Sequence, residues 1–104
     1  MQMIRKLSEM IEEELDDAEK YAKGALKQRE ENQTLAKTFF DLSTDEMRHA
    51  NLLHGEVTRC IEQYKREHGD MPEAMRAVYD YLHERQIEHA AEVKILQNQY
   101  RETA

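Results

Sequence analysis

His68-Gly69-Asp70-Met71-Pro72-Glu73 brings together the chain's one proline and one of its three glycines, and its reading sets the architecture on either side. Gly69 suits the left-handed backbone that ends a helix. Asp70 is placed to cap the next helix, with Glu73 three residues later completing a capping-box spacing. Pro72 falls in the first turn, where its missing N–H does no harm. Upstream, the apolar rhythm pauses at Glu31-Asn32-Gln33, between Leu26 and Leu35, and Asn32 is a suitable cap. The two breaks predict three helices, over about residues 3 to 30, 33 to 67 and 71 to 102. Gly24 and Gly55 fall inside helical patterns, where glycine costs roughly 1 kcal/mol relative to alanine, so each is expected to mark close packing.

At 104 residues the chain accommodates one domain, residues 1–104, and not two. Abundant Glu, Lys, Arg, Gln, Ala and Leu favour helix almost throughout. Short connections make successive helices antiparallel neighbours. The expected fold is therefore all-α, a bundle of three helices each roughly 40–50 Å long at about 1.5 Å per residue. The net charge of −7 argues against a nucleic-acid surface, which needs clustered Lys and Arg. Cys60 is the single cysteine, so no internal disulfide and no CxxC metal module can form. It shares an apolar face with Leu53 and Tyr64 and reads as a structural thiol. Neither a signal peptide nor some 18 consecutive apolar residues is present, and a cytoplasmic location is expected.

The apolar stripes carry polar residues at their centres. Stepping about 100° per residue, helix 1 lines up Met3, Leu7, Met10, Ile11, Ala18, Tyr21, Ala22 and Ala25, with Glu14 in their midst. Helix 2 lines up Leu35, Phe39, Leu42, Leu53, Val57, Cys60 and Tyr64, with Glu46 central and His49 one turn on. Helix 3 lines up Met71, Met75, Val78, Leu82, Val93, Leu96 and Tyr100, with His89 on the midline and Glu92 beside it. A single Glu on such a stripe is most often an edge residue reaching to water, and a single inward His a satisfied core residue. Several, one set per helix, are harder to accommodate, because a buried unpaired carboxylate costs several kcal/mol. Folding the chain at residue 32 places Glu14 level with Glu46 and His49. Folding it at residue 69 places His49 opposite His89 and Glu46 opposite Glu92. Carboxylates with imidazoles suit iron or manganese, and zinc less often.

The segments EELDDAEKYA (13–22) and DEMRHANLLH (45–54) resemble the ferritin-like superfamily, rubrerythrin-type domains in particular. Glu14 precedes Tyr21 by seven residues, and Glu46-Met47-Arg48-His49-Ala50 looks like that family's Glu-x-x-His-Ala ligand motif. The resemblance covers about residues 5 to 60. It implies Glu14, Glu46 and His49 as metal ligands, Tyr21 beside them, two iron ions per site and oxidation of Fe(II) by dioxygen or peroxide, as a di-iron oxidoreductase of ferroxidase or peroxidase type.

A full ferritin-like bundle has four helices and two ligand half-sets, each a Glu plus a Glu-x-x-His. This chain has three helices and one clear half-set. Two completions stay open: a homodimer in which each chain gives Glu14, Glu46 and His49, or ligation within one chain by His89 and Glu92, with Glu88 as a further candidate. Phe40, Met47, Ile87 and Ile95 fall outside the stripes and argue for self-association. The rival from another class is a metal-free helical interaction module, in which Glu14, Glu46, His49, His89 and Glu92 form a buried polar network. His54, Glu56, His83 and Glu84 read as surface residues. The runs Glu12-Glu13-Glu14 and Asp16-Asp17 read as a solvated face apart from Glu14. Arg85 is placed to pair with a ligand carboxylate.

Overall fold

The computed structural model describes residues 2–103 and contains three helices: α1 (Gln2–Gln28), α2 (Gln33–His68) and α3 (Glu73–Thr103). They form a rod of 55 × 18 × 17 Å. Among the described residues, no helix is long and apolar enough to cross a membrane.

Both expected breaks occur, and each has a local cause. Asn32 closes α1 by donating its N–H to the Gln28 carbonyl at 2.8 Å. It opens α2 by accepting the Leu35 N–H on its side-chain oxygen at 3.0 Å. That satisfies one of the N–H groups a helix start otherwise leaves without a partner. At the other break, Gly69 donates to the Lys65 carbonyl at 2.9 Å. Its φ of 79° and ψ of −157° lie in a region that is essentially reserved for glycine. The start of α3 departs from expectation. Arg76 donates to the Pro72 carbonyl at 3.0 Å and the helix begins at Glu73, so Pro72 rather than Asp70 holds the cap position. A proline there loses nothing, since the N–H it lacks would have had no helical acceptor.

The packing is unequal. α1 lies at the centre, packed along α2 and along α3, whereas α2 and α3 touch at few places. The α1–α2 seam is built largely from small residues: Ala18, Ala22, Ala25, Ala36 and Ser43 are all buried. Small side chains bring the two backbones close. A Cβ on Gly24 would sit 2.9 Å from Phe39 Cδ2, so that glycine does mark close packing, whereas Gly55 faces open space. Larger residues fill one end of the seam, among them Leu7, Ile11, Leu15, Met47 and Val57, with Val93 reaching in from α3. Buried polar groups tie the three helices together. Ser43 Oγ donates to the Ala18 carbonyl at 2.7 Å and accepts from Gln97 Nε2 at 2.9 Å.

The expected stripes coincide with the core only in part: Leu7, Ile11, Ala18, Ala22, Ala25, Val57, Val93 and Tyr100 are buried as expected. Met3 and Met10 on α1 are exposed, while Ile4 and Leu15 are buried in their place. On α2, Met47 belongs to the core, and Leu35, Leu42, Leu53, Cys60 and Tyr64 are only half-buried. On α3, Val78 is exposed and two glutamines, Gln86 and Gln97, are buried. Ile87 and Ile95 are exposed as expected. Phe40 is half-buried against Tyr100, ring centroids 4.8 Å apart.

Two glycine substitutions should act in opposite directions. Gly69→Ala forces a side chain into a positive-φ backbone and is expected to destabilise by more than about 1 kcal/mol. Gly55→Ala, where a Cβ meets nothing within 4 Å, should stabilise by up to about 1 kcal/mol through helix propensity. Thermal melts of the two variants check both signs.

Candidate metal centre

Glu14 sits on α1 about 60° round the helix from the buried seam, and Glu46 and His49 sit on the matching side of α2. The close α1–α2 approach therefore brings them together at the edge of the seam. His49 Nδ1 lies 3.4 Å from Glu14 Oε2 and 3.7 Å from Glu46 Oε1. One ligand atom from each of the three residues falls within 4.8 Å of the others. The carboxylates are the more enclosed members, with side chains 26% and 18% exposed, and His49 forms the rim at 42%.

The electrostatics of this trio are unfavourable as it stands. Glu14 Oε2 is buried and makes no hydrogen bond. The Glu46 carboxyl is pushed up to about 7, first by a proton-requiring hydrogen bond with Glu14, then by burial and by the Glu14 charge. His49 opposes the rise and Asp17 adds to it. Ionising Glu46 this close to a second carboxylate is costly, and a cation beside the pair would remove that cost. The donor set of two hard carboxylates and an imidazole, two of the residues one turn apart on a single helix, fits a divalent transition ion.

The same side of both helices continues as an apolar strip. Met3, Met10 and Tyr21 lie along it on α1, and Leu35, Leu42, Leu53 and Cys60 along it on α2. All are exposed or half-buried. The strip holds the outer members of the expected core stripes, whose Leu7, Ile11, Ala18, Ala22 and Ala25 on α1 and Val57 on α2 are buried, and Leu53 and Cys60 also pack against the core. The strip lies roughly 80–90° from the true seam on each helix. Tyr21 stacks on Phe39 with centroids 6.1 Å apart, two turns along α1 from Glu14.

Helix α3 does not complete the trio. His49 faces about 150° away from the side of α2 that meets α3, and His89 lies in a second cluster on another face of α1. His89 Nε2 is 3.1 Å from Glu19 Oε1 and 3.8 Å from Asp16 Oδ1, and its Nδ1 is 3.6 Å from Glu12 Oε2. Glu92 is exposed and, with Glu88 and Arg85, lines the groove beside His89. The expectation that three helices meet at one ligand level is therefore corrected: there are two clusters, back to back across α1. Of the residues read as a solvated face, Asp16 is exposed as expected, whereas Glu12 is half-buried beside His89. Their spacing with Glu19, at i, i+4 and i+7, puts all three on one helix face and could have signalled a shared partner. Lys23 lowers the Glu19 carboxyl by a hydrogen bond, with a smaller contribution from His89, against the opposing effect of burial.

Other surface assignments divide. Glu56 is exposed and pairs with Arg59, and Glu84 is exposed. Arg85 is exposed with its guanidinium 5.8 Å from the Tyr81 ring centre, not on a ligand of the trio. His54 and His83 are not surface residues. They are half-buried and stack on each other between α2 and α3.

A pH signature follows from Glu46. Between its ordinary value of 4.5 and about 7 the metal-free folded protein holds a proton that the unfolded chain has lost. That contribution to stability is complete below pH 4.5 and is lost as the pH rises through about 7. Glu14→Gln removes the neighbouring charge and should flatten this segment of the stability curve in urea titrations between pH 5 and 8. An unchanged slope in the variant would contradict the assignment.

Comparison with family models, with curated proteins and with solved structures found no match for the chain.

Proposed function

We propose that the chain is a ferritin-like di-metal protein whose centre forms when two copies pair through the strip bearing Glu14, Glu46 and His49. The feature that carries this reading is the enclosed carboxylate pair: one oxygen without a hydrogen bond among the described residues, and one acid raised to about 7 by its neighbour and by burial. A two-fold axis beside that pair supplies four carboxylates and two imidazoles, the complement of a ferritin-like two-metal site. Iron suits the donor set best, with manganese or zinc next.

The residues then have distinct roles. Glu14 and Glu46 would hold the cations from neighbouring helices, with Glu46 in its deprotonated form. His49, at the rim, contributes a ring nitrogen. Leu42, Leu53 and Tyr21, covered by the partner copy, keep water from the carboxylates. Bound iron would supply electrons for the reduction of dioxygen or peroxide, the activity that the family resemblance implies.

Anaerobic loading with Fe(II), followed by metal analysis and light scattering, tests the reading. About one iron per chain in a dimer is expected, with proton release near neutral pH as Glu46 deprotonates. Glu46→Ala should abolish loading while the far-ultraviolet circular dichroism stays helical, and His89→Ala should leave the loading unchanged. Persistent loading in Glu46→Ala would defeat the site assignment. No bound metal, with a melting temperature indifferent to chelator, would leave a metal-free helical interaction module.

A further inference from the structure

One of the few contacts between α2 and α3 is a stack of rings. His54 of α2 lies against His83 of α3 with centroids 4.9 Å apart and planes 22° apart. Tyr79, one turn from His83, stacks on it at 5.6 Å and 11°. His54 Nε2 and His83 Nδ1 are both buried and neither has a hydrogen-bond partner. The groove beside the stack has a volume of about 190 Å³. Ile11 and Leu15 of α1, Ala50 and Asn51 of α2 and Gln86 and Ala90 of α3 line it, and no charged residue is among its lining.

Two unpaired imidazole nitrogens invite a metal, but the stacking is against one. An ion lies in the plane of each ring that binds it, and two near-parallel planes in a stack share no such point. The proton is the ligand that remains. In a neutral histidine one ring nitrogen is a bare acceptor; in the charged form both carry hydrogen. Whichever tautomer each ring adopts, protonation leaves a buried N–H with no acceptor. Protonating both rings also sets two positive charges within a single stack, against an apolar groove.

We propose that the His54–His83 stack is an acid-sensitive latch, in which neutral rings hold the first half of α3 against α2 and protonation loosens that half while the α1–α2 hairpin stays packed. Among the described residues, the titratable group that acts on His54 is His83, and Tyr79 stacks on His83. The lining residues from α1 and α2 carry no charge. Burial raises the Tyr79 hydroxyl above its ordinary value of 10, with Asp80 adding to the rise, so it does not change charge in acid. His54 is held below the ordinary imidazole value of 6.5, first by burial and then by His83. The unfolded chain therefore takes up a proton on His54 more readily than the folded one. The stability from the latch is complete above 6.5 and is lost as the pH falls below it.

Hydrogen exchange read by mass spectrometry at pH 7.5 and 5.5, corrected for the intrinsic rate, tests the latch. The comparison is wild type against His54→Phe/His83→Phe, which keeps two stacked rings without a titrating group. His89 is present in both proteins, so its own response cancels. In wild type, exchange in the first half of α3 should rise by up to about tenfold in acid relative to α1, since pH 5.5 lies one unit below the ordinary imidazole value. The double variant should show no such rise. Equal changes in both proteins, or opening of all three helices together, would overturn the proposal. An NMR titration of the His54 ring in the wild-type protein decides the case if the double variant fails to fold: a midpoint below 6.5 is expected, and one at or above it refutes the latch.

Discussion

The close approach of α1 and α2 is the constraint on which the rest of the molecule depends. Alanines and one serine line their seam, and a methyl group on Gly24 would already collide with Phe39. Backbones this near leave little room for large side chains between them, so much of the apolar material of both helices is turned outward. The same proximity holds Glu14 against Glu46. Had the seam been filled by leucines, the helices would stand further apart and the two acids could each find water. Their crowding is thus a by-product of how the seam is packed, and it is what makes the trio a candidate for a cation.

A seam of alanine is poor in hydrophobic area, and the fold offsets this with length and with directed polar contacts. Ser43 is buried, yet it hydrogen-bonds to α1 through the Ala18 carbonyl and to α3 through Gln97. Removing one partner of such a group leaves the other without water or a mate, at a cost of about 1–3 kcal/mol. These bonds therefore specify register as well as adding stability. They place α3 at a defined height on the hairpin, with Phe40 opposite Tyr100 and His54 opposite His83.

Heights were legible in the sequence and directions were not. The Gly69-Asp70-Met71-Pro72 break and the Asn32 cap set the lengths of the helices and hence which residues lie level with one another. Glu14 does meet Glu46 and His49, and Ser43 meets Gln97 about the expected fold point. Helical angle is misjudged when every large apolar residue is read as interior. Leu7, Ile11 and Val57 are interior, but Met10 and Leu42 mark the open strip, and Ala36, Ser43 and Ala50, which carry little hydrophobic signal, belong to the seam. That misjudgement put His89 with His49, when α3 approaches α1 from another side and pairs His89 with Glu12, Asp16 and Glu19. The stacking of His54 on His83 was equally out of reach, since nothing in either residue's local spacing reveals which neighbouring helix will face it.

The central place of α1 also governs how substitutions combine. Residues on α2 and α3 are mostly strangers to each other, so changes made one on each should add as independent terms outside the few bridges at Ser43–Gln97, Phe40–Tyr100 and His54–His83. A change on α1 is different, because Leu15 or Ala18 borders both neighbours' territory and any relaxation there is felt on two fronts. Epistasis in this rod is therefore concentrated along a single helix, and sequence drift has far more freedom on the outer two.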